Sequence, residues 1–255
     1  MSGPERVVVT GAGGGIGAAM ARRFAAGGAR VFVNDLDEAA ASAVAAEIGG
    51  RAVPGDAGSE ADVSRLIDAA WDELGGIDLF CANAGVLTGG GPETPDEAWQ
   101  RDFQVNVMSH VYASRALLPR WLAAGNGHLL VTVSAAGLLT LLGSATYSVT
   151  KHASLAYAEW LRATYAHRGI KVQALCPQGV RTDMMLRGGG RSASSALLAE
   201  GALEASEVAD VAFDGVQRDG FLILPHPEVA EFAQRRATDP DRWLAGMNKI
   251  QRSVE

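Results

Sequence analysis

The sequence predicts an α/β protein built on a doubly wound, parallel sheet of about seven strands with helices on both faces. Three observations carry this. Short apolar runs alternate with longer Ala-rich segments of helical spacing, the pattern of strand–crossover–strand units. A glycine-rich turn lies between the first such run and the first helix. The residues that close each run are small or polar, as expected where strand ends in an open α/β sheet face a ligand.

Taken in order, the runs are Arg6 to Thr10, Arg30 to Asn34, Arg51 to Gly55, Ile77 to Ala82, His128 to Ser134, Ile170 to Cys176 and Phe221 to Leu224. Near-continuous apolar runs of this kind suit parallel strands covered on both faces. The helices between them read as Gly15 to Gly27, Asp37 to Ile48, Ser59 to Leu74, Asp96 to Ala123 and Ser144 to Arg168, with right-handed crossovers. After Cys176 the pattern loosens. A stretch around residues 184–205, including Gly188 to Gly190, is expected to form a substrate lid or a surface loop, with helical spacing resuming near Ser206. A polar helical tail starts at about residue 226, and the 255 residues are expected to form one domain.

Composition excludes several function classes. A formal charge of -7 without a Lys/Arg cluster, together with 6% aromatic residues, argues against nucleic acid. Cys81 and Cys176 have no CxxC spacing, so neither a disulfide framework nor a metal site is expected, and the chain suits a reducing cytoplasm. Met1 to Arg6 shows no secretion signal. The uncharged stretch Leu129 to Tyr147 is broken by Gly, Ser and Thr, which favours a buried strand followed by a pocket wall over a membrane span.

The first turn reads Thr10-Gly11-Ala12-Gly13-Gly14-Gly15-Ile16-Gly17 and opens a helix. Glycines there let the backbone approach a pyrophosphate, whose charge is met by free N–H groups at the helix start. The second run ends at Asp35, placed to accept hydrogen bonds from ribose hydroxyls and to repel a 2′-phosphate. Leu36, Asp37 and Glu38 supply no cation, so NAD is favoured over NADP. Capping of the second helix by Asp35 or Asp37 is the plainer alternative. Asp56 can meet an adenine amino group, Asn83 can tie backbones together and Gly85 can leave room for a ribose, although each also suits an ordinary turn.

The fifth run ends in Ser134, and Tyr147 and Lys151 follow at i and i+4 on one helix face. A free phenol titrates near pH ~10, and a neighbouring ammonium stabilises phenolate, bringing it towards use as an acid/base at neutral pH. Leu138, Leu139, Leu141 and Leu142, with Val86, Leu87, Met184, Met185 and Leu186, suggest a large apolar substrate pocket. His110, His152, His167 and Cys176 are read as packed or solvated rather than catalytic.

As a set these residues resemble the short-chain dehydrogenase/reductase family over nearly the whole chain, from Arg6 to about Leu224. The similarity rests on Thr10, Gly11, Gly15 and Gly17, on Asn83 to Gly85, on Asn106, on Ser134, and on Tyr147 with Lys151. It implies a single Rossmann-type domain with Tyr147 as general acid/base and Ser134 polarising the reacting oxygen. Lys151 is then expected to lower the Tyr147 pKa and hold the nicotinamide ribose, and Asn106 to support a water relay. Cofactor contacts are implied at Ile16, Leu36, Asp56, Ala57, Pro177, Gly179, Val180 and Thr182 as well.

Three departures stand out. Ala82 replaces the first Asn of Asn-Asn-Ala-Gly, Gln178 occupies a usual glycine position, and Pro225-His226-Pro227 replaces the Asp-Gly-Gly of many tetrameric relatives. The last favours a homodimer through Asp96–Ala123 and Ser144–Arg168 over a tetramer. The expected activity is NAD(H)-dependent interconversion of a hydrophobic secondary alcohol and its ketone. A catalytically silent nucleotide-binding regulator or scaffold and an NADPH-dependent ketoreductase are the alternatives.

Overall fold

The computed structural model describes residues 3–188 and 201–253. Seven parallel strands form one sheet in the order β3-β2-β1-β4-β5-β6-β9. They are β1 (Arg6–Thr10), β2 (Arg30–Asn34), β3 (Arg51–Ala52), β4 (Leu79–Ala82), β5 (Gly127–Thr132), β6 (Ile170–Leu175) and β9 (Leu222–Ile223). The order reverses between β1 and β4, which opens a crevice at the carboxyl ends of those strands. A second, two-stranded parallel ladder joins β7 (Val180–Arg181) to β8 (Leu203–Glu204).

Period-two alternation divides the core. In β1, Val8 faces one layer while Val7 and Val9 face the other. The Val8 layer is closed by α3 (Glu60–Leu74), α5 (Ser109–Ala124) and α7 (Ala145–Tyr165) through Leu66, Leu117, Trp121 and Leu161. The opposite layer is closed by α1 (Gly15–Ala26), α2 (Glu38–Ile48) and α9 (Ala205–Val216) through Met20, Phe24, Val44 and Val208. Because both faces are covered, the strands read as continuous apolar runs.

Two predicted elements differ from expectation. The segment Asp96 to Ala123 is not one α-helix: α4 (Asp96–Phe103) passes into a π-helical turn, Gln104–Met108, before α5. The Asn106 main-chain carbonyl accepts a hydrogen bond from Ser154 Oγ at 2.6 Å, and its side chain turns inward to bind other backbone. A local widening of the ladder accommodates those contacts. Regular β3 pairing stops at Ala52 rather than Gly55. Pro54 has no N–H to give, yet Val53 and Gly55 still donate to Val33 and Asp35.

Residues 189–200 of the expected lid lie outside the described residues; its flanks form α8 (Asp183–Gly188) and β8. The polar tail forms α10 (Glu228–Thr238) and α11 (Pro240–Arg252). Its apolar side, Val229, Phe232 and Trp243, packs on the short helix α6 (Ala135–Leu138) that follows Ser134, and Arg236 donates to the Leu138 carbonyl at 2.6 Å.

Trp121 is 1% exposed and its indole donates to the Ile77 carbonyl at 2.7 Å. Trp121→Phe should lower the free energy of urea unfolding by about 1–3 kcal/mol, because the smaller ring leaves space and the carbonyl loses its partner. An unchanged midpoint and slope would show that the indole contributes neither.

Candidate active site

One cavity of about 1590 Å³ runs along the carboxyl edge of the sheet. At its β1 end stand Gly11, Gly15, Ile16 and Gly17. Gly11 has a φ of 61°, and a Cβ there would lie 2.8 Å from the Ala84 Cα. A Cβ on Gly17 would lie 2.1 Å from the Gly11 carbonyl oxygen, so neither position admits a side chain without moving backbone. The first turn of α1 has no acidic residue and no side-chain cap, which leaves its N–H groups and positive dipole end to the cavity.

Asp35 accepts from the Gly13 N–H at 2.8 Å and the Asp37 N–H at 3.0 Å, while Asp37 caps α2 through the Ala40 N–H. Capping therefore falls to Asp37, and Asp35 lines the cavity beside Leu36, which is 75% exposed. Asp56 and Ala57 line the same end, with Asp56 accepting from the Gly58 N–H at 2.7 Å. Asn83 donates to the carbonyls of Thr10 and Gly11, and its own N–H donates to Thr10 Oγ1, tying the two turns together.

At the other end Ser134, Tyr147 and Lys151 meet. Ser134 sits at the end of the β5 run, its Oγ accepting from the Ala136 N–H at 3.0 Å and donating to the Pro177 carbonyl at 3.4 Å. Lys151 Nζ lies 5.5 Å from the Tyr147 ring centroid and donates to the Thr132 carbonyl at 3.0 Å. Burial pushes the Lys151 ammonium down to about 8. The Tyr147 phenol is raised by burial, against which Ser134 acts. Desolvation is the largest influence on this phenol, and the Lys151 ammonium stands 5.5 Å from its ring.

Asn106 is the one predicted site residue that does not line the cavity. It is fully buried behind the wall: its side chain accepts from the Val86 N–H and donates to the Val86 carbonyl and Thr150 Oγ1, at 2.8 to 3.0 Å. This clamp fixes the strand-like turn after β4 against α7. Gly85 lies between Asn106 and Lys151, where a Cβ would be 3.2 Å from Asn106 Oδ1 and 3.4 Å from Lys151 Nζ.

Pro177, Gly179, Val180 and Thr182 line the cavity between its two ends. Val86, Leu87, Leu139, Leu141, Leu142, Met184 and Met185 give the Tyr147 end an apolar wall, whereas Leu138 turns into the core and the side chain of Leu186 is outside what is described. His110 is wholly buried and held near 3 by desolvation and by the Lys151 charge, and His152 bonds the Ser148 carbonyl, so both are packing residues. Cys176 is fully buried, with its thiol pushed up to about 12.

Two contributors had escaped the sequence reading. Asp102, wholly buried, accepts from Thr88 Oγ1 at 2.9 Å and Thr146 Oγ1 at 2.7 Å, joining the turn after β4 to the residue before Tyr147. No local signal marks a buried carboxylate in a helix that reads as charged. His226, just after β9, accepts from the Gln178 N–H at 3.1 Å, a contact between residues distant in sequence.

A dinucleotide-sized crevice at the switch point, with a hydroxyl, a phenol and an ammonium gathered at one end, defines a nicotinamide-dependent oxidoreductase fold. The short chain dehydrogenase profile matches residues 5–189, and the chain belongs to the short-chain dehydrogenase/reductase family, whose members use nicotinamide cofactors. It is 38% identical over 230 residues to 1-deoxy-11-beta-hydroxypentalenate dehydrogenase of Streptomyces exfoliatus, covering 87% of this chain and 82% of that protein. A short-chain dehydrogenase/reductase of Burkholderia phymatum, solved with NAD, superposes with a TM-score of 0.85 at 29% identity over 94% of this chain and 96% of the other. A 7α-hydroxysteroid dehydrogenase solved with NADH and 7-oxo glycochenodeoxycholic acid superposes with a TM-score of 0.78 at 25% identity, covering 86% and 92%. Among the described residues no helix is long and apolar enough to cross a membrane.

The buried ammonium of Lys151 gives a signed stability prediction. Its folded pKa of about 8 lies below the ordinary lysine value of 10.5, so the burial penalty is present in full below pH 8 and disappears as pH rises through 10.5. Lys151→Met should therefore raise the free energy of unfolding at pH 7 by about 1–3 kcal/mol, with the gain shrinking towards pH 10. Urea denaturation at both pH values checks this; an increment independent of pH would show that the charge is not desolvated.

Proposed function

We propose that this protein is an NAD(H)-dependent dehydrogenase that interconverts a hydrophobic secondary alcohol and its ketone. The observation that carries the reading is the single cavity joining Asp35 and the glycine turn to Ser134, Tyr147 and Lys151 under an apolar wall. The residues present fit the cofactor. Gly11 and Gly17 leave no side chain where a pyrophosphate must approach, the first-turn amides of α1 face the cavity, and Asp35 offers a carboxylate to ribose hydroxyls. Asp35 repels a 2′-phosphate and the lining Arg22 is paired with Glu47 at 2.7 Å, which supports NAD over NADP.

When bound, the nicotinamide supplies the hydride donor or acceptor. Tyr147 holds or delivers the proton at the reacting oxygen, and Ser134, which lines the same cavity, orients that same oxygen. Lys151 places a positive charge 5.5 Å from the phenol ring, where it favours the phenolate over the phenol. Asn106 acts from behind, holding the Val86 backbone and Thr150 and thereby the face of α7 that carries Tyr147 and Lys151.

The lining arginines Arg22, Arg23 and Arg181 are each paired, with Glu47, Asp210 and Glu204. The leucine wall at the Tyr147 end favours an uncharged, bulky reacting end of the substrate. The hydroxy-compound and hydroxysteroid dehydrogenases it resembles point the same way.

Absorbance at 340 nm, followed with NAD+ and NADP+ across secondary alcohols of increasing apolar size, tests the reading. Tyr147→Phe should lower kcat by about 10²–10⁴-fold with NADH affinity retained. Retained turnover in that variant would remove Tyr147 from the chemistry. Asp35→Ala should raise the KM for NAD+ by about tenfold and narrow the preference over NADP+; an unchanged ratio would take the carboxylate out of cofactor selection.

A further inference from the structure

The turn that follows β6 is gripped along both edges of one peptide plane. The Pro177 carbonyl accepts from the Ala135 N–H at 2.7 Å, beside Ser134 Oγ at 3.4 Å. The N–H of the same peptide unit, on Gln178, donates to His226 Nδ1 at 3.1 Å. Since Nδ1 accepts, the ring proton resides on Nε2, which reaches the Gly201 carbonyl at 3.2 Å.

Gln178 and Gly201 hold matching places in the small ladder. Val180 pairs with Leu203, Leu203 donates to the Gly179 carbonyl at 3.0 Å, and Gln178 and Gly201 each stand two residues upstream of that pair. The imidazole lies between them and connects the N–H of one strand to the C=O of the other, as a rung would. His226 is 4% exposed, its flanking residues are Pro225 and Pro227, and its carbonyl accepts from the Val229 N–H at the start of α10. Proline on both sides restricts the backbone that presents the ring.

We propose that His226 is a positioning residue that substitutes for a ladder rung between Gln178 and Gly201 and thereby fixes the peptide plane of the turn facing the nicotinamide. The inference rests on the cofactor orientation given above. It concerns the nicotinamide end alone, because Asp35 and the α1 amides take no part in these contacts.

The test titrates the whole protein with NADH and, separately, with ADP, which reaches only the Asp35 end, and records melting temperature beside each value. His226→Phe removes both ring contacts. His226→Asn keeps an acceptor near Nδ1, and His226→Gln keeps a donor near Nε2. His226→Phe should weaken NADH binding by about tenfold and lower kcat, with ADP affinity unchanged. His226→Asn should restore NADH affinity to within about threefold of the original, and His226→Gln should not. Equal NADH affinity in His226→Phe, parallel loss of NADH and ADP, or equal rescue by Asn and Gln would each overturn the inference. Failure of the unaltered protein to bind either nucleotide would instead overturn the cofactor reading.

Discussion

The latch between β1 and β4 is the constraint on which the rest of the site depends. Strand order reverses between these two neighbours, so their following helices leave to opposite faces and a crevice opens above them. Thr10 Oγ1 takes the N–H groups of Asn83 and Ala84, while Asn83 Nδ2 binds the carbonyls of Thr10 and Gly11. Two turns rich in small residues, which would otherwise have little to hold them, are thereby fixed relative to each other. The close passage of Gly17 against the Gly11 carbonyl is possible only with that fixed spacing.

The Tyr147 end of the cavity is assembled on a second set of buried polar contacts. Asn106 and Asp102, both without exposure, bind the turn after β4 and the first turns of α7 through Val86, Thr88, Thr146 and Thr150. Each polar atom has a partner, which is the condition under which burying it is tolerable. The π-helical turn at Gln104–Met108 is the local irregularity that brings Asn106 into reach.

Much of this was legible in the chain. Strand positions follow from apolar runs because both sheet faces are covered, and the glycine turn, Asp35, Ser134, Tyr147 and Lys151 all meet one cavity because each closes or follows a strand at the same edge. The break in Asp96–Ala123 was not legible, since Gln104–Met108 has ordinary helical composition and its widening answers a hydroxyl on Ser154, far along the chain. The protonation balance at Tyr147 also escaped. An i, i+4 spacing reports proximity to Lys151, whereas the phenol responds first to the solvent removed from around it. The hold of His226 on Gln178 is invisible for a similar reason, because it links two departures from the family pattern that only the folded chain brings together.

The apolar wall at the Tyr147 end has a different standing from the sheet beneath it. Leu87, Leu141, Leu142, Met184 and Met185 belong to none of the buried core clusters, although they line the cavity. Substitutions there change the shape offered to a substrate while leaving the interdigitated layers that hold the domain together untouched. Selection can therefore retune what this scaffold accepts in small steps, with the inherited reaction chemistry carried along unaltered.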